Sequence, residues 1–203
     1  MQWLIGFVVL SKGKPMRACK MLGVATVLLG LSCFAVAPAR GQSDSPAAFD
    51  RHLLALAEKG HADSQYKLAI AYDEGLGVPK NYAQAFKWYR LAAEQGHAHS
   101  QFRVGDMYES GHGVAKNDVE AVKWFRKAAD QGLANAQGML GIMYAKGQGV
   151  PRDYVLAYMW LDLATAGRQG AAQFRDAVAQ HMTPAQVAEA QKLAREWKPR
   201  KER

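Results

Sequence analysis

Histidine is the residue type whose spacing in this sequence first suggests chemistry, because imidazole is a common zinc ligand. His97 and His99 lie two residues apart, and His61 precedes His97 by 36 residues. Equivalent positions on neighbouring helices are about 8 to 10 Å apart, whereas zinc holds its ligands at about 2 Å. We therefore expect these histidines to lie in exposed loops, and the sequence predicts no metal site.

Paired glycines are a second feature that could bind a ligand, since glycine-rich loops hold nucleotide phosphates. A phosphate-binding loop follows a strand and carries a third glycine at a fixed offset, or a Gly-Lys-Ser/Thr sequence. Neither feature accompanies the three Gly-x-Gly segments of this chain, which are Gly75/Gly77, Gly111/Gly113 and Gly147/Gly149. We expect these glycines to form turns, and the sequence predicts no cofactor.

Groups that could catalyse hydrolysis are present only as scattered residues. No serine, histidine and acid stand out as a nucleophile with its base. The paired acids Asp73-Glu74 and Asp118/Glu120 fall at predicted helix ends, where capping and solvation explain them. We predict that the protein is not an enzyme.

The glycine pairs belong to a repeat with a period of 36 residues, which Gly60, Gly96 and Gly132 mark. Five further sets of residues keep the same period: Gln65, Gln101 and Gln137; Tyr72, Tyr108 and Tyr144; Val78, Val114 and Val150; Ala85, Ala121 and Ala157; Trp88, Trp124 and Trp160. So many coincidences indicate three copies of one structural unit, at residues 57–92, 93–128 and 129–164.

Each copy contains two stretches of apolar residues at helical spacing, separated by the glycine turn. The expected helix pairs are 62–74 with 82–95, 98–110 with 118–131, and 134–146 with 154–166. Each second helix has a start signal, because Asn81 and Asn117 can form capping boxes with Gln84 and Glu120. Asp153 can cap the third, but Leu156 cannot complete a box.

The tryptophans at one position of each second helix are the predicted buried spine of the array. A single helix pair would leave part of these rings in water, so the stable arrangement is a stack of pairs. The alanine three residues before each tryptophan would let neighbouring helices approach closely. The spine consists of Trp88, Trp124 and Trp160.

The combination of a 36-residue period, a Gly-x-Gly-Val turn, an Ala-x-x-Trp second helix and an Ala-Ala-x-x-Gly ending resembles the Sel-one-like repeat family, a relative of the tetratricopeptide repeats. The resemblance covers residues 57–164. It implies an all-α fold, a right-handed α-solenoid that serves as a scaffold for protein assemblies, often in signalling or at the bacterial cell envelope. Thr165 and Arg168 depart from the ending, so we expect the third copy to lead into a cap.

The first 41 residues are typical of a bacterial secretory signal peptide. They contain five basic residues and no acidic residue, and an apolar run over 21–37 precedes the small-x-small cleavage sequences that end at Ala39 and Gly41. Met16 is an alternative start, and retention of the run as a membrane anchor is the competing interpretation. Both cysteines, Cys19 and Cys33, lie in this segment, so the predicted mature chain has no thiol.

The positive charge of the chain comes from its two ends. Residues 42–203 hold 21 of the 26 basic residues and all 18 acidic residues, and four of those 21 lie in the basic tail at 198–203. The array itself is therefore close to neutral, which gives little support to nucleic-acid binding. We predict no nucleic-acid partner.

Additional segments are expected to flank the repeats within a solenoid domain at 46–197. After a linker at 42–45, Ser45-Pro46 starts a half-repeat helix over 47–59. The C-terminal cap at 165–197 is predicted to hold a helix near 171–181, with Phe174 and Val178 on its buried face. A second helix begins at Thr183 with a capping box to Gln186, and we expect Trp197 to close it.

Positions that vary between the copies are the candidates for partner contact, because repeated positions are needed for packing. On the first helices they are Tyr66, Lys67, Ile70 and Asp73, then Phe102, Arg103, Asp106 and Glu109, then Gly138, Met139, Ile142 and Ala145. The alternative is that Tyr66 and Phe102 fill gaps between units, since apolar residues at this spacing are usually core.

The function predicted from these features is an exported, non-catalytic scaffold that binds a peptide or protein partner in a groove, in the periplasm or outside the cell. The membrane is a partner only if the signal segment is retained. The resemblance also leaves open a cell-envelope hydrolase of the β-lactamase-like or peptidoglycan-related type. Relatives described in that way carry cysteine pairs that this chain lacks.

Overall fold

The structure is a computed structural model that describes residues 51–167 and 170–200. Within these residues the chain forms nine α-helices and no strand, so the all-α prediction is confirmed. The helices are α1 (Arg51–Glu58), α2 (Ala62–Glu74), α3 (Tyr82–Glu94), α4 (Ala98–Ser110), α5 (Asp118–Asp130), α6 (Ala134–Lys146), α7 (Tyr154–Ala164), α8 (Ala171–Ala179) and α9 (Pro184–Glu196).

Several predictions fall outside the described residues. They are the signal segment at 1–41, the linker at 42–45, the start of the half-repeat helix at 46–50 and the last residues of the tail, 201–203. Across residues 51–167 and 170–200, the structure contains no helix with the length and apolar character that a membrane crossing requires.

Three consecutive helix pairs form the array, α2 with α3, α4 with α5, and α6 with α7. Their bounds agree with the sequence predictions to within two residues. Each helix packs mainly against its neighbours in the sequence, and each second helix also packs against the first helix of the next pair. The predicted stack of two-helix units is therefore confirmed.

The two glycines of each turn have different functions. Gly111 ends α4 in the left-handed conformation (φ 80°), and its N–H donates to the carbonyl of Met107. Gly113 also has a positive φ, of 73°, but it lies directly against the preceding pair: a Cβ there would overlap the carbonyl group of Tyr82 at the start of α3. The second glycine therefore permits close contact between neighbouring pairs.

The capping boxes predicted at Asn81 and Asn117 are only half present. The Asn117 side chain accepts a hydrogen bond from the N–H of Glu120 at 3.1 Å, as expected. The reciprocal bond does not form, because the Asn117 N–H instead donates to the carbonyl of Tyr108 at 2.9 Å and ties the turn to α4. Asn81 repeats this arrangement one unit earlier. The box at Thr183 and Gln186 is complete, as predicted.

The buried spine differs from the predicted tryptophan series in its first two members. Trp160 is 1% exposed, but Trp88 and Trp124 are only partly buried. The fully buried large side chains are one residue later, at Tyr89, Phe125 and Leu161. Adjacent residues of a helix point about 100° apart around its axis, so when the residue after the tryptophan faces the core, the tryptophan itself lies towards the edge of the buried face. The alanines at 85, 121 and 157 are completely buried.

The C-terminal cap is formed by α8 and α9, both packed against α7. Ala190 and Ala194 are buried, and Trp197 packs edge-on against Trp160 with the ring centroids 6.0 Å apart. In α8, Val178 is buried as predicted, but Phe174 is 50% exposed and does not lie on the buried face. The tail is tied at Arg200, whose N–H donates to the carbonyl of Asp130 at 2.7 Å.

A ladder of buried glutamines joins successive units. Gln65, Gln101 and Gln137 each donate a side-chain N–H to a carbonyl oxygen eight residues earlier, at 3.1 to 3.4 Å. Gln95 then donates to the Oε1 of Gln65 at 2.7 Å, and Gln131 repeats the bond to Gln101 at 2.8 Å. The period marks these glutamines in the sequence, but only the structure shows that they satisfy buried backbone carbonyls.

We expect the Gln95→Ala variant to lose about 1 to 3 kcal/mol in free energy of unfolding, because it removes a donor to the buried side chain of Gln65. Urea unfolding followed by circular dichroism measures the change. Gln84→Ala is the matched control, since Gln84 lies on α3, the helix that Gln95 caps, and is exposed as Gln95 is. Surface changes usually alter stability by less than about 0.5 kcal/mol. Equal losses in the two variants would contradict a stabilising ladder.

Candidate partner-binding surface

Eight of the twelve residues that the sequence nominates for partner contact lie on the first two of the three first helices. Tyr66, Lys67, Ile70 and Asp73 are on α2, and Phe102, Arg103, Asp106 and Glu109 are on α4. Lys67 is exposed and the other seven are partly buried. We call these eight residues the first-helix surface.

The aromatic residues of the first-helix surface pack against the core. The ring of Tyr66 lies 5.8 Å from that of Tyr89, and the ring of Phe102 lies 5.6 Å from that of Phe125, measured between centroids. Both partners are fully buried. Both contacts lie within one unit, and the ring of Tyr66 also lies 4.7 Å from that of His97 in the next unit. Part of each ring is therefore used in packing, and for Tyr66 this agrees with the alternative that it fills a gap between units.

Five of the other six residues of the surface are charged, and the charge of Asp73 on α2 acts on Asp106 on α4. The Tyr89 hydroxyl donates to Asp73 Oδ2 at 3.3 Å, linking α3 to α2. Burial raises the pKa of the Asp106 carboxyl, although the positive charge of Arg103 opposes that change. Burial also raises the pKa of Glu109, and the negative charge of Asp106 adds to the effect. The structure thus places two partly desolvated carboxylates side by side on α4.

His97 differs from the exposed loop histidine that the sequence predicts. Its Nδ1 accepts a hydrogen bond from the N–H of Ser100 at 3.2 Å and so caps α4, while Nε2 lies 3.5 Å from Asp63 Oδ1. Burial lowers the pKa of His97, which favours the neutral ring that the cap requires. His61 and His99 are exposed, as predicted.

No group of three or more histidine, cysteine, aspartate or glutamate side chains in residues 51–167 and 170–200 is arranged to hold a metal ion.

The third first helix continues the row with apolar residues and ends at a cavity. Gly138 is buried, and Met139, Ile142 and Ala145 are partly buried. Beyond them a cavity of about 210 Å³ opens between α6, α7 and α8. Its lining residues are Ile142, Ala145, Lys146, Tyr154, Leu161, Phe174, Ala177, Val178 and His181.

Sequence reasoning missed the contribution of the cap to this cavity. Phe174 occupies the same position of the 36-residue period as Tyr66 and Phe102, so the period could have marked it as a surface residue. The start signal at Thr183 limits α8 in the sequence, and the helix has nine residues where a regular first helix has 13. The sequence does not show which face of α8 is buried, and that face decides which of its residues line the cavity.

Three solved structures that resemble this chain come from bacteria. The Sel1 repeat protein from Oxalobacter formigenes is 37% identical, with 62% of this chain and 96% of that chain covered and a TM-score of 0.58. The protective antigen c5321 of uropathogenic Escherichia coli, which displays an SLR fold, is 33% identical over 71% of this chain and 39% of that chain, with a TM-score of 0.48. Cysteine rich protein B of Helicobacter pylori is 20% identical over 60% of this chain and 88% of that chain, with a TM-score of 0.48.

No curated protein matches the chain. The Sel1 repeat matches it three times in succession, at residues 62–97, 98–133 and 134–167, so each match spans one helix pair of the array. Sel1 repeat proteins are helical scaffolds that commonly mediate protein interactions, and the comparisons do not favour the hydrolase alternative. The chain therefore belongs to the Sel1 repeat family.

Proposed function

We propose that this protein is an exported scaffold that binds a peptide or protein partner along the first-helix surface and catalyses no reaction. Membership of the Sel1 repeat family supports the general role of mediating protein interactions. The observation that carries the specific proposal is the pair of partly desolvated carboxylates, Asp106 and Glu109, beside Asp73 and Arg103 on consecutive first helices.

Desolvation makes these carboxylates suited to a cationic partner. Among residues 51–167 and 170–200, no lysine or arginine forms an ion pair with Asp106 or Glu109. Arg103 opposes the rise of the pKa at Asp106. Lys116 and Lys146 oppose the rise of the pKa at Glu109, but burial outweighs these charges and both pKa values stay raised. A partly buried carboxylate that no ion pair compensates is unfavourable. A lysine or arginine supplied by a partner would restore the lost interaction, so we expect the bound segment to be basic.

Export is supported by the sequence of the first 41 residues, in which a basic segment precedes an apolar run and small-x-small sequences. Cleavage there would leave a chain without cysteine, which folds in the periplasm without oxidation. We place the working compartment outside the cytoplasm on this ground.

A capture experiment in the native cell tests both parts of the proposal. The full chain with a C-terminal tag is crosslinked, the cell is fractionated, and the tagged protein is weighed by mass spectrometry and probed for partners. The Asp106→Asn, Glu109→Gln double variant keeps side-chain size but removes both charges. We expect it to capture roughly tenfold less partner, because a charge pair that is partly removed from water on binding contributes strongly to affinity.

The Glu58→Gln, Glu189→Gln double variant is the matched control, since these exposed acids lie on α1 and α9. Neutral isosteres are a cleaner change than Tyr66→Ala with Phe102→Ala, because those truncations also remove packing against the core. Equal capture by the two double variants would refute the binding surface. An uncleaved chain in the cytoplasmic fraction would refute export.

A further inference from the structure

The cavity between α6, α7 and α8 has the size of a site for one side chain. Its volume is about 210 Å³, whereas sites for whole small molecules typically measure about 300 to 1,000 Å³. Leu161 and Val178 are 1% and 6% exposed and form its floor. Phe174, Ala177 and His181 lie at the exposed rim, so the cavity opens to solvent.

The chemistry of the lining is apolar with basic groups at the edge. Of the nine lining residues, only Lys146 and His181 can carry positive charge, and none is acidic. His181 is held in place by stacking on Tyr154, with ring centroids 5.4 Å apart and an angle of 15° between the planes. Arg152 lies over the same tyrosine, with its guanidinium carbon 5.6 Å from the ring centroid. An apolar group attached to an anion would match these features.

The position of the cavity indicates how a peptide would reach it. Lys146 is the last residue of α6, and its charge acts on Glu109 of the first-helix surface. A chain that lies along the first-helix surface therefore passes from acidic residues on α2 and α4 to the basic rim of the cavity. A basic segment followed by an apolar residue with a carboxylate has the complementary order of charges.

From these features we infer that the cavity binds the C-terminal residue of a basic peptide, with its apolar side chain against Leu161 and Val178 and its α-carboxylate facing Lys146 and His181. The inference rests on the proposed function, because it specifies the partner that the first-helix surface binds. It assigns the specificity of binding to α8, which is the cap and not a repeat.

A peptide series tests the inference by fluorescence anisotropy on the purified full chain. The probes are fluorescein-labelled heptapeptides Lys-Gly-Lys-Gly-Lys-Gly-X, in which X is each of the twenty amino acids with a free carboxyl end. We expect Leu, Ile, Met or Phe at X to bind roughly tenfold more tightly than Ala, because the larger side chain is removed from water. Amidating the carboxyl end should weaken binding by about fivefold.

Two variants with matched controls locate the effect. Ala177→Trp fills the cavity mouth and should abolish the preference for a large X, while Ala188→Trp, at an exposed position of α9, should retain it. Lys146→Glu should abolish the preference for the free acid over the amide, and Lys192→Glu should not. Circular dichroism checks that all four variants are folded.

The outcomes separate this inference from the proposed function. Equal affinity for Leu and Ala at X in the unaltered protein, or a preference that survives in Ala177→Trp, would overturn it. Equal affinity for acid and amide would also overturn it, since an internal apolar residue would then explain binding. The Asp106→Asn, Glu109→Gln variant should weaken every peptide alike and keep the ratio between Leu and Ala. If this variant captures as much partner as the unaltered protein, the proposed function fails while the inference about the cavity can still hold.

Discussion

Replacing Trp160 by alanine is expected to lower the free energy of unfolding by about 3 to 5 kcal/mol, the cost of truncating a fully buried tryptophan. The side chain is 1% exposed. Trp197 contacts its edge, and the guanidinium carbon of Arg126 lies 5.0 Å from its ring centroid. Arg126 also donates a hydrogen bond to the hydroxyl of Tyr144 at 2.6 Å, and this bond holds the guanidinium group in place over the ring of Trp160. Its removal would open a cavity between the last repeat and the cap.

Trp124→Ala is the matched variant, because Trp124 occupies the equivalent position one unit earlier. Its ring is only partly buried, and the Nζ of Lys127 lies 4.3 Å from the ring centroid. We expect a loss of about 1 to 2 kcal/mol there, since less apolar area returns to water. Urea unfolding measured by circular dichroism distinguishes the two variants. Similar losses would mean that Trp124 and Trp160 contribute equally to the spine that the sequence predicts, contrary to their burial in the structure.

The helix pairs could be predicted from the sequence because the boundaries on either side of each glycine turn have local causes. Gly111 ends α4 through its positive φ, and Asn117 starts α5 through its side-chain cap. Both signals act within a few residues and recur at the same place in every unit. Local chemistry of this kind is readable without knowledge of tertiary contacts.

The burial of individual aromatic residues could not be predicted, because it depends on contacts between distant parts of the chain. Trp124 and Phe125 are adjacent on an apolar stripe, and periodicity alone does not decide which of them faces the core. Trp160 becomes buried because Trp197, at the end of α9, covers it. The helical period carries no information about this contact, since α9 lies outside the repeats.

One part of the candidate site could be predicted from the sequence and another part could not. Variation between copies selects residues that share one face of consecutive first helices, because each unit presents equivalent positions in the same direction. The cavity could not be predicted, since it depends on the face that α8 buries. Ala171 and Val178 are buried there, whereas Phe174 is half exposed, so the face differs from the one that the apolar spacing of Phe174 and Val178 indicates.

A Gly113→Ala variant tests the contact that joins neighbouring units. Gly113 has a φ of 73°, and a left-handed conformation costs a residue with a Cβ roughly 1 to 2 kcal/mol. The new Cβ would also overlap the backbone carbonyl of Tyr82, which cannot move without shifting α3. Overpacking of this kind adds about 1 to 3 kcal/mol. We therefore expect a total loss of about 2 to 5 kcal/mol in urea unfolding.

Gly111→Ala separates backbone strain from overlap within the same turn. Gly111 also has a positive φ, of 80°, but the nearest atom to the new methyl group would be the Lys116 Cβ at 3.5 Å, an ordinary van der Waals contact. Only the conformational cost of about 1 to 2 kcal/mol should then remain. If the two variants lose the same stability, the second glycine of the turn is needed for its φ alone. A larger loss in Gly113→Ala means that successive units are held together by backbone contact that only glycine permits.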